Sequence, residues 1–204
     1  MCIVNHDSRL VFCHVPRTGG TSIETVPWVG GNSHWGVGRL RDLCTPEQWA
    51  AYFTFAFVRN PFDRLVSAFT GYRTFPPVNV REVYETAQAL MEKHGDDREA
   101  FRAWCRCVVP RWLACDPHMK MQSRFVVDSR PGAVPLDFVG RFETLQADFD
   151  HVCRAMGREP QPLAHHRRGQ RGPWPEYYDA PMQAMVASWY AEDLNRFAYA
   201  PGRE

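Results

Sequence analysis

Residues 10 to 22 are Leu10-Val-Phe-Cys-His-Val-Pro-Arg-Thr-Gly-Gly-Thr-Ser22. Leu10, Val11, Phe12, Cys13 and Val15 form a nearly continuous apolar run, the pattern of a strand buried on both faces of a parallel sheet. Pro16 ends the strand. Gly19 and Gly20 let the backbone turn tightly and approach a ligand without a Cβ in the way. Thr21 and Ser22 then open a helix, whose first N–H groups have no partner inside the helix. Strand, glycine turn and helix start together form an anion cradle. Arg17 adds a fixed charge to it, and Thr18, Thr21 and Ser22 add hydroxyl donors. The expected occupant is a phosphate-like group; the plain alternative is a Gly-Gly pair that only turns the chain. The Walker loop, Gly-x-x-x-x-Gly-Lys-Ser/Thr, is not present. No glycine stands at the required distance, and the basic residue precedes the glycines.

A second junction of the same kind follows at Phe53-Thr-Phe-Ala-Phe-Val-Arg-Asn-Pro-Phe-Asp-Arg-Leu-Val-Ser-Ala-Phe69. Phe53 to Val58 is another buried-strand pattern. Asn60 is a good N-cap and Pro61 suits the first helical position. Leu65, Val66 and Phe69 fall on one helical face. Arg59 sits at the C-terminal end of the strand, where open α/β sheets place ligand groups. Ser67, two turns on, is a second donor for the same crevice. Taken singly, Arg59 could be a surface ion-pair partner and Ser67 a helix-surface hydroxyl. Two strand-to-helix junctions that both carry anion donors point instead to a ligand with two anionic ends.

Composition bounds the answer. A chain of 204 residues, 45% hydrophobic and 23% charged, is the size of one globular domain, expected over residues 1–204. Its net charge of +1 argues against general affinity for nucleic acid or an anionic membrane. Lysine occurs only at Lys93 and Lys120, so nearly all positive charge is arginine, the better fork for phosphate and sulfate oxygens. No stretch of about 18 apolar residues is present, so no membrane span is expected, and the first residues lack a secretory pattern. Seven cysteines without disulfide-like spacing read as reduced thiols in a cytoplasm. Cys105, Cys107, Cys115 and His118 do not have the usual zinc spacing, and no metal is expected.

Along the chain, Thr45-Pro-Glu-Gln48 is a capping box. Val83, Ala87 and Leu90 keep one helical period, ended by Gly95. Phe101, Trp104 and Val108 keep another, up to Pro110. Residues 124–128 and 136–140 read as short strands. Leu145, Phe149, Val152 and Met156 mark an amphipathic helix, residues 158–175 a Pro-, Arg- and Gly-rich loop, and Asp179 the cap of a final helix. Strands alternating with helices predict an α/β domain with a central, mainly parallel sheet flanked by helices.

Here a family resemblance enters. His14-Val-Pro-Arg-Thr-Gly-Gly-Thr-Ser-Ile-Glu24 resembles the 5′-phosphosulfate loop of sulfotransferases, and Phe57-Val-Arg-Asn-Pro-Phe-Asp-Arg-Leu-Val-Ser-Ala-Phe69 resembles their 3′-phosphate motif. Residues 118–122, 138–145 and 190–199 are similar to segments of the branch that holds the carbohydrate sulfotransferases and small bacterial relatives. The resemblance runs nearly end to end. It implies a P-loop-like three-layer sandwich and 3′-phosphoadenosine 5′-phosphosulfate as co-substrate, with no metal. It implies sulfuryl transfer to a hydroxyl acceptor, with a carbohydrate the leading expectation and a small molecule open. Arg17, Thr18, Gly19, Gly20, Thr21 and Ser22 would hold the 5′-phosphosulfate; Arg59 and Ser67, with Arg167 and Arg168 of the later basic loop, would hold the 3′-phosphate, and Arg171 could join them. Arg17 stands where the family has Lys and is the charge expected to face the departing phosphate. His34 is the expected general base, with His118 and Glu24 as rivals; His14 reads as a buried structural histidine. Two further readings stay open: a nucleotide kinase or NTPase, with Phe125-Val-Val-Asp128 as its acidic magnesium strand, and a nucleotide-binding module without turnover.

Overall fold

The apolar run that opens the chain becomes a strand, and the rest of its sheet is laid beside it. The computed structural model describes residues 4–31, 34–72, 81–164 and 171–200. In chain order these form β1 (Val4–Asn5), β2 (Leu10–Cys13), α1 (Gly20–Glu24), α2 (Val37–Arg41), α3 (Pro46–Ala51), β3 (Phe53–Val58), α4 (Pro61–Gly71) and α5 (Arg81–His94). There follow α6 (Asp97–Cys107), α7 (Val109–Trp112), α8 (Ser123–Val126), β4 (Phe138–Arg141), α9 (Leu145–Ala155), α10 (Ala180–Trp189) and α11 (Ala191–Arg196). Short 3-10 turns cover Phe142–Thr144 and Trp174–Tyr177. The chain folds into two compact units, Met1–Arg59 with Gln122–Arg167, and Asn60–Met121 with Arg168–Glu204.

The first unit holds the sheet. Among the described residues its order is β1-β2-β3-β4, with β1 antiparallel to β2 and the other pairs parallel. Phe12 lies beside Phe55 and Cys13 beside Ala56, so Leu10, Phe12, Phe55 and Phe57 share one face. There they form a buried core with Ile23 of α1 and Phe149, Val152 and Cys153 of α9. On the other face the Cys13 thiol donates to the carbonyl of Phe125 at 3.3 Å. Complete burial pushes this thiol up to about 12, which leaves it inert as a nucleophile at neutral pH. With apolar residues on both pleats, the strands read as continuous hydrophobic runs, as the sequence does.

One feature of this unit departs from the expectation and one follows it. Residues 124–128, expected as a strand, contain the helical turn α8, and Val127 N–H closes it onto Ser123 at 3.0 Å. Asp128 therefore does not end a strand as a magnesium-binding acid would; its carboxylate accepts from Arg130 and Arg41. This removes the acidic strand on which the kinase reading rested. The capping box at the start of α3 forms in both directions: Gln48 N–H donates to Thr45 Oγ1 at 3.2 Å, and Thr45 N–H to Gln48 Oε1 at 2.9 Å.

The second unit is helical. Asn60 caps α4 by accepting from Phe62 N–H at 3.0 Å, and Pro61 takes the first helical position. Phe62, Leu65 and Phe69 of α4 pack in one buried core with Phe101 and Trp104 of α6 and Met182 and Val186 of α10. Trp104 and Trp174 are buried here, so neither offers a stacking face to a sugar. The helix α6 ends at Cys107, short of Pro110 as expected, and Pro110 sits in the first turn of the next helix, α7, where its missing N–H costs nothing. Among the described residues no helix is long and apolar enough to cross a membrane.

Candidate active site

The loop after β2 closes on itself. Thr18, fully buried, donates its hydroxyl to the Val15 carbonyl at 2.8 Å. That hydroxyl, expected as a ligand donor, is instead used inside the loop and shapes it. Arg17 has φ 69°, and Gly19, the cap of α1, has φ 84°, both left-handed. A Cβ on Gly19 would lie 2.7 Å from Leu145 Cδ2, and one on Gly20 would lie 2.0 Å from His14 Nε2. Both contacts are closer than real Cβ atoms come; Gly20 is fixed by the imidazole that fills its space, and Gly19, where a leucine methyl could give way, by its left-handed backbone. Ser22 N–H donates to the Gly19 carbonyl at 3.0 Å, and the Ser22 side chain is buried.

His14 is the wall of this turn. Its Nδ1 lies 2.6 Å from Glu24 Oε1, its ring stacks on Phe12, and its ring centroid is 4.6 Å from that of His34. Glu24 is thus spent on a buried histidine, which weakens its claim as a base. His34 is exposed and is the histidine of the pair that solvent reaches.

Arg59 completes the cluster. Gln122, fully buried, accepts from Arg59 N–H at 2.8 Å and donates Nε2 to the Arg59 carbonyl at 2.8 Å. The guanidinium lies over the Phe142 ring with Cζ 3.8 Å from its centroid, and Nη1 donates to the Arg17 carbonyl at 3.2 Å. The unit therefore brings Arg17, Gly19, Gly20, His14, His34, Glu24 and Arg59 into one cluster. Sequence reasoning missed Phe142 as the shelf under Arg59.

The second unit carries the remaining residues. Ser67 lies on α4 and is buried. Asp116, also buried, accepts from His118 N–H at 2.7 Å, from His118 Nδ1 at 3.1 Å and from Tyr72 Oη at 2.8 Å. Burial raises the Asp116 carboxyl, but the bonds from His118 and Tyr72 outweigh it and hold the group below its ordinary value. Buried Arg64 braces the segment by donating to the carbonyls of Lys120 at 2.8 Å and Pro117 at 3.0 Å. Arg171 is ion-paired with Asp63. Arg167 and Arg168 lie outside the described residues. Among the described residues no group of three or more His, Cys, Asp or Glu is placed to hold a metal ion.

The first unit thus places a tight glycine turn beside the arginine that follows β3. The sequence profile of the sulfotransferase family matches residues 1–200, and the chain belongs to that family. It is similar to carbohydrate sulfotransferase 11 of Rattus norvegicus, with 26% identity over 184 residues, 76% of this chain and 52% of that protein. It is also similar to carbohydrate sulfotransferase 10 of Xenopus laevis (26% over 187 residues, 76% of this chain, 53% of that protein). The human carbohydrate sulfotransferase 8 matches at 25% over 215 residues, 92% of this chain and 49% of that protein. The chain thus spans about half the length of these curated relatives. No solved structure matches it significantly.

Proposed function

We propose that the protein is a sulfotransferase that uses 3′-phosphoadenosine 5′-phosphosulfate and sulfates a carbohydrate hydroxyl. The observation that carries this is the joining of the two motifs at one atom pair, Arg59 Nη1 on the Arg17 carbonyl at 3.2 Å. The donor supplies an activated sulfuryl group. Backbone N–H groups of residues 18–20, with Thr21 and Ser22, hold its 5′ end, as at other helix-start anion sites. Arg17 faces the charge that develops on the departing phosphate. An arginine keeps its proton, so Arg17 acts by charge and hydrogen bonding and not as an acid. His34 takes the acceptor hydroxyl's proton as the oxygen forms its bond to sulfur; its exposure and its contact with the Glu24-anchored His14 support that choice. By analogy with phosphoryl transfer, positioning and fixed charge do most of the work. The roles of Ser67, Arg167 and Arg168 at the 3′-phosphate rest on the resemblance alone.

The family match across both units supports one working domain over residues 1–204. The carbohydrate acceptor is inferred from the names of the relatives. The free cysteines Cys13, Cys44, Cys105, Cys107, Cys115 and Cys153 support a reducing, cytoplasmic setting. The test is release of 3′-phosphoadenosine 5′-phosphate from the donor with a panel of glycans and small alcohols. Acceptor-dependent release, greatest with a glycan, is the expected result. Donor binding without release to any acceptor would favour a nucleotide-binding module.

A further inference from the structure

Arg17 is one of three non-glycine residues with positive φ among the described residues, at 69°. Such a backbone is sparsely populated for a residue with a Cβ and persists only where its surroundings hold it. The carbonyl of that same residue accepts from Arg59 Nη1 at 3.2 Å. Arg59 is itself fixed at both backbone groups by Gln122, and its guanidinium is laid on Phe142. Phe142 also lines the turn: a Cβ on Gly19 would lie 3.2 Å from Phe142 Cδ2. Strand end, aromatic shelf and left-handed turn thus form one contiguous packed unit.

We infer that Arg59 is a positioning residue for the 5′-phosphosulfate loop: held by Gln122 and Phe142, it secures the left-handed backbone at Arg17 that aims the loop's N–H groups. This rests on the donor-site reading and extends it. The family motif gives Arg59 to the 3′-phosphate; the geometry gives it a second role at the other end of the same ligand. A donor fragment with no 3′-phosphate should therefore still feel Arg59. Lysine cannot replace it, because a single ammonium has neither the planar face for Phe142 nor the fork that spans to a carbonyl.

The test compares wild type, Arg59→Lys and Phe142→Leu by hydrogen exchange in the free protein and by calorimetric titration with adenosine 5′-phosphosulfate and with 3′-phosphoadenosine 5′-phosphate. In both variants, amides of residues 17–20 should exchange about tenfold faster or more, with those of α9 unchanged. Both nucleotides should bind about tenfold more weakly to Arg59→Lys. Unchanged exchange at residues 17–20, with only the bisphosphate weakened, would overturn the inference and leave Arg59 a 3′-phosphate ligand. Faster exchange everywhere alike would also overturn it, since the effect would be global unfolding. Failure of wild type to bind either nucleotide would sink the donor-site reading, while the exchange data would still decide the role of Arg59 in the loop.

Discussion

His14 stands between Glu24 and Gly20: its Nδ1 is 2.6 Å from the Glu24 carboxylate, and its Nε2 occupies the space a Cβ on Gly20 would need. The imidazole is therefore the packing partner of the glycine turn, locked in place by one carboxylate. Gly20→Ala must displace the ring, break the bond to Glu24 or move the loop. We expect donor affinity to fall at least about tenfold. Gly38→Ala, whose added Cβ would meet its nearest atoms at an ordinary 3.5 Å, should leave affinity unchanged. Equal affinities for wild type and Gly20→Ala would show that the turn can yield without consequence.

Gln122 is buried and satisfies both backbone groups of Arg59. Gln122→Ala strands one buried donor and one buried acceptor, each costing about 1–3 kcal/mol when left unpaired. Urea unfolding should show a loss of about 2 kcal/mol or more, and donor affinity should fall with it. A loss within about 0.5 kcal/mol, as for an ordinary surface change, would contradict the clasp.

His34 and His118 can be separated by rate. Removing a general base costs about 10²–10⁴ in rate. His34→Asn should lower kcat by about that factor with donor affinity intact. His118→Asn should leave kcat within a few-fold of wild type. The reverse pattern would make His118, oriented by Asp116 at 3.1 Å, the base.

Asp128 gives a stability prediction with a definite sign. The Arg130 guanidinium, and then Arg41, hold its carboxyl well below the ordinary carboxylate value. A carboxyl lowered on folding contributes stability that is present above its unfolded value, about 3.9, and is lost as pH falls through and below it. Asp128→Asn should therefore be less stable than wild type at pH 7, with the gap narrowing as unfolding is measured toward pH 3. A gap independent of pH would mean that the ion pairs contribute nothing through charge.

Much of this was legible in the residues, and the failures have physical reasons. The strands at Leu10–Cys13 and Phe53–Val58 announce themselves because both pleats are apolar. Asn60, Pro61, Thr45 and Gln48 mark helix starts through local hydrogen bonds that sequence can show. Ser123–Val126 misled because a short apolar run fits a buried strand or a buried helical turn equally well. Its shape is fixed by tertiary contacts such as the Cys13 thiol on the Phe125 carbonyl. The glycine turn after β2 and the arginine that follows β3 stand out in the sequence by residue type and position. The Gln122 clasp and the Phe142 shelf do not, since each joins residues more than 60 positions apart, and no local pattern records such a pairing.

If the loop at residues 17–22 and Arg59 serve one nucleotide with two anionic ends, calorimetric titration should show tight binding of 3′-phosphoadenosine 5′-phosphate, abolished by Arg59→Ala and unmatched by ATP with magnesium. No binding of the bisphosphate, or a preference for ATP, would exclude that shared role.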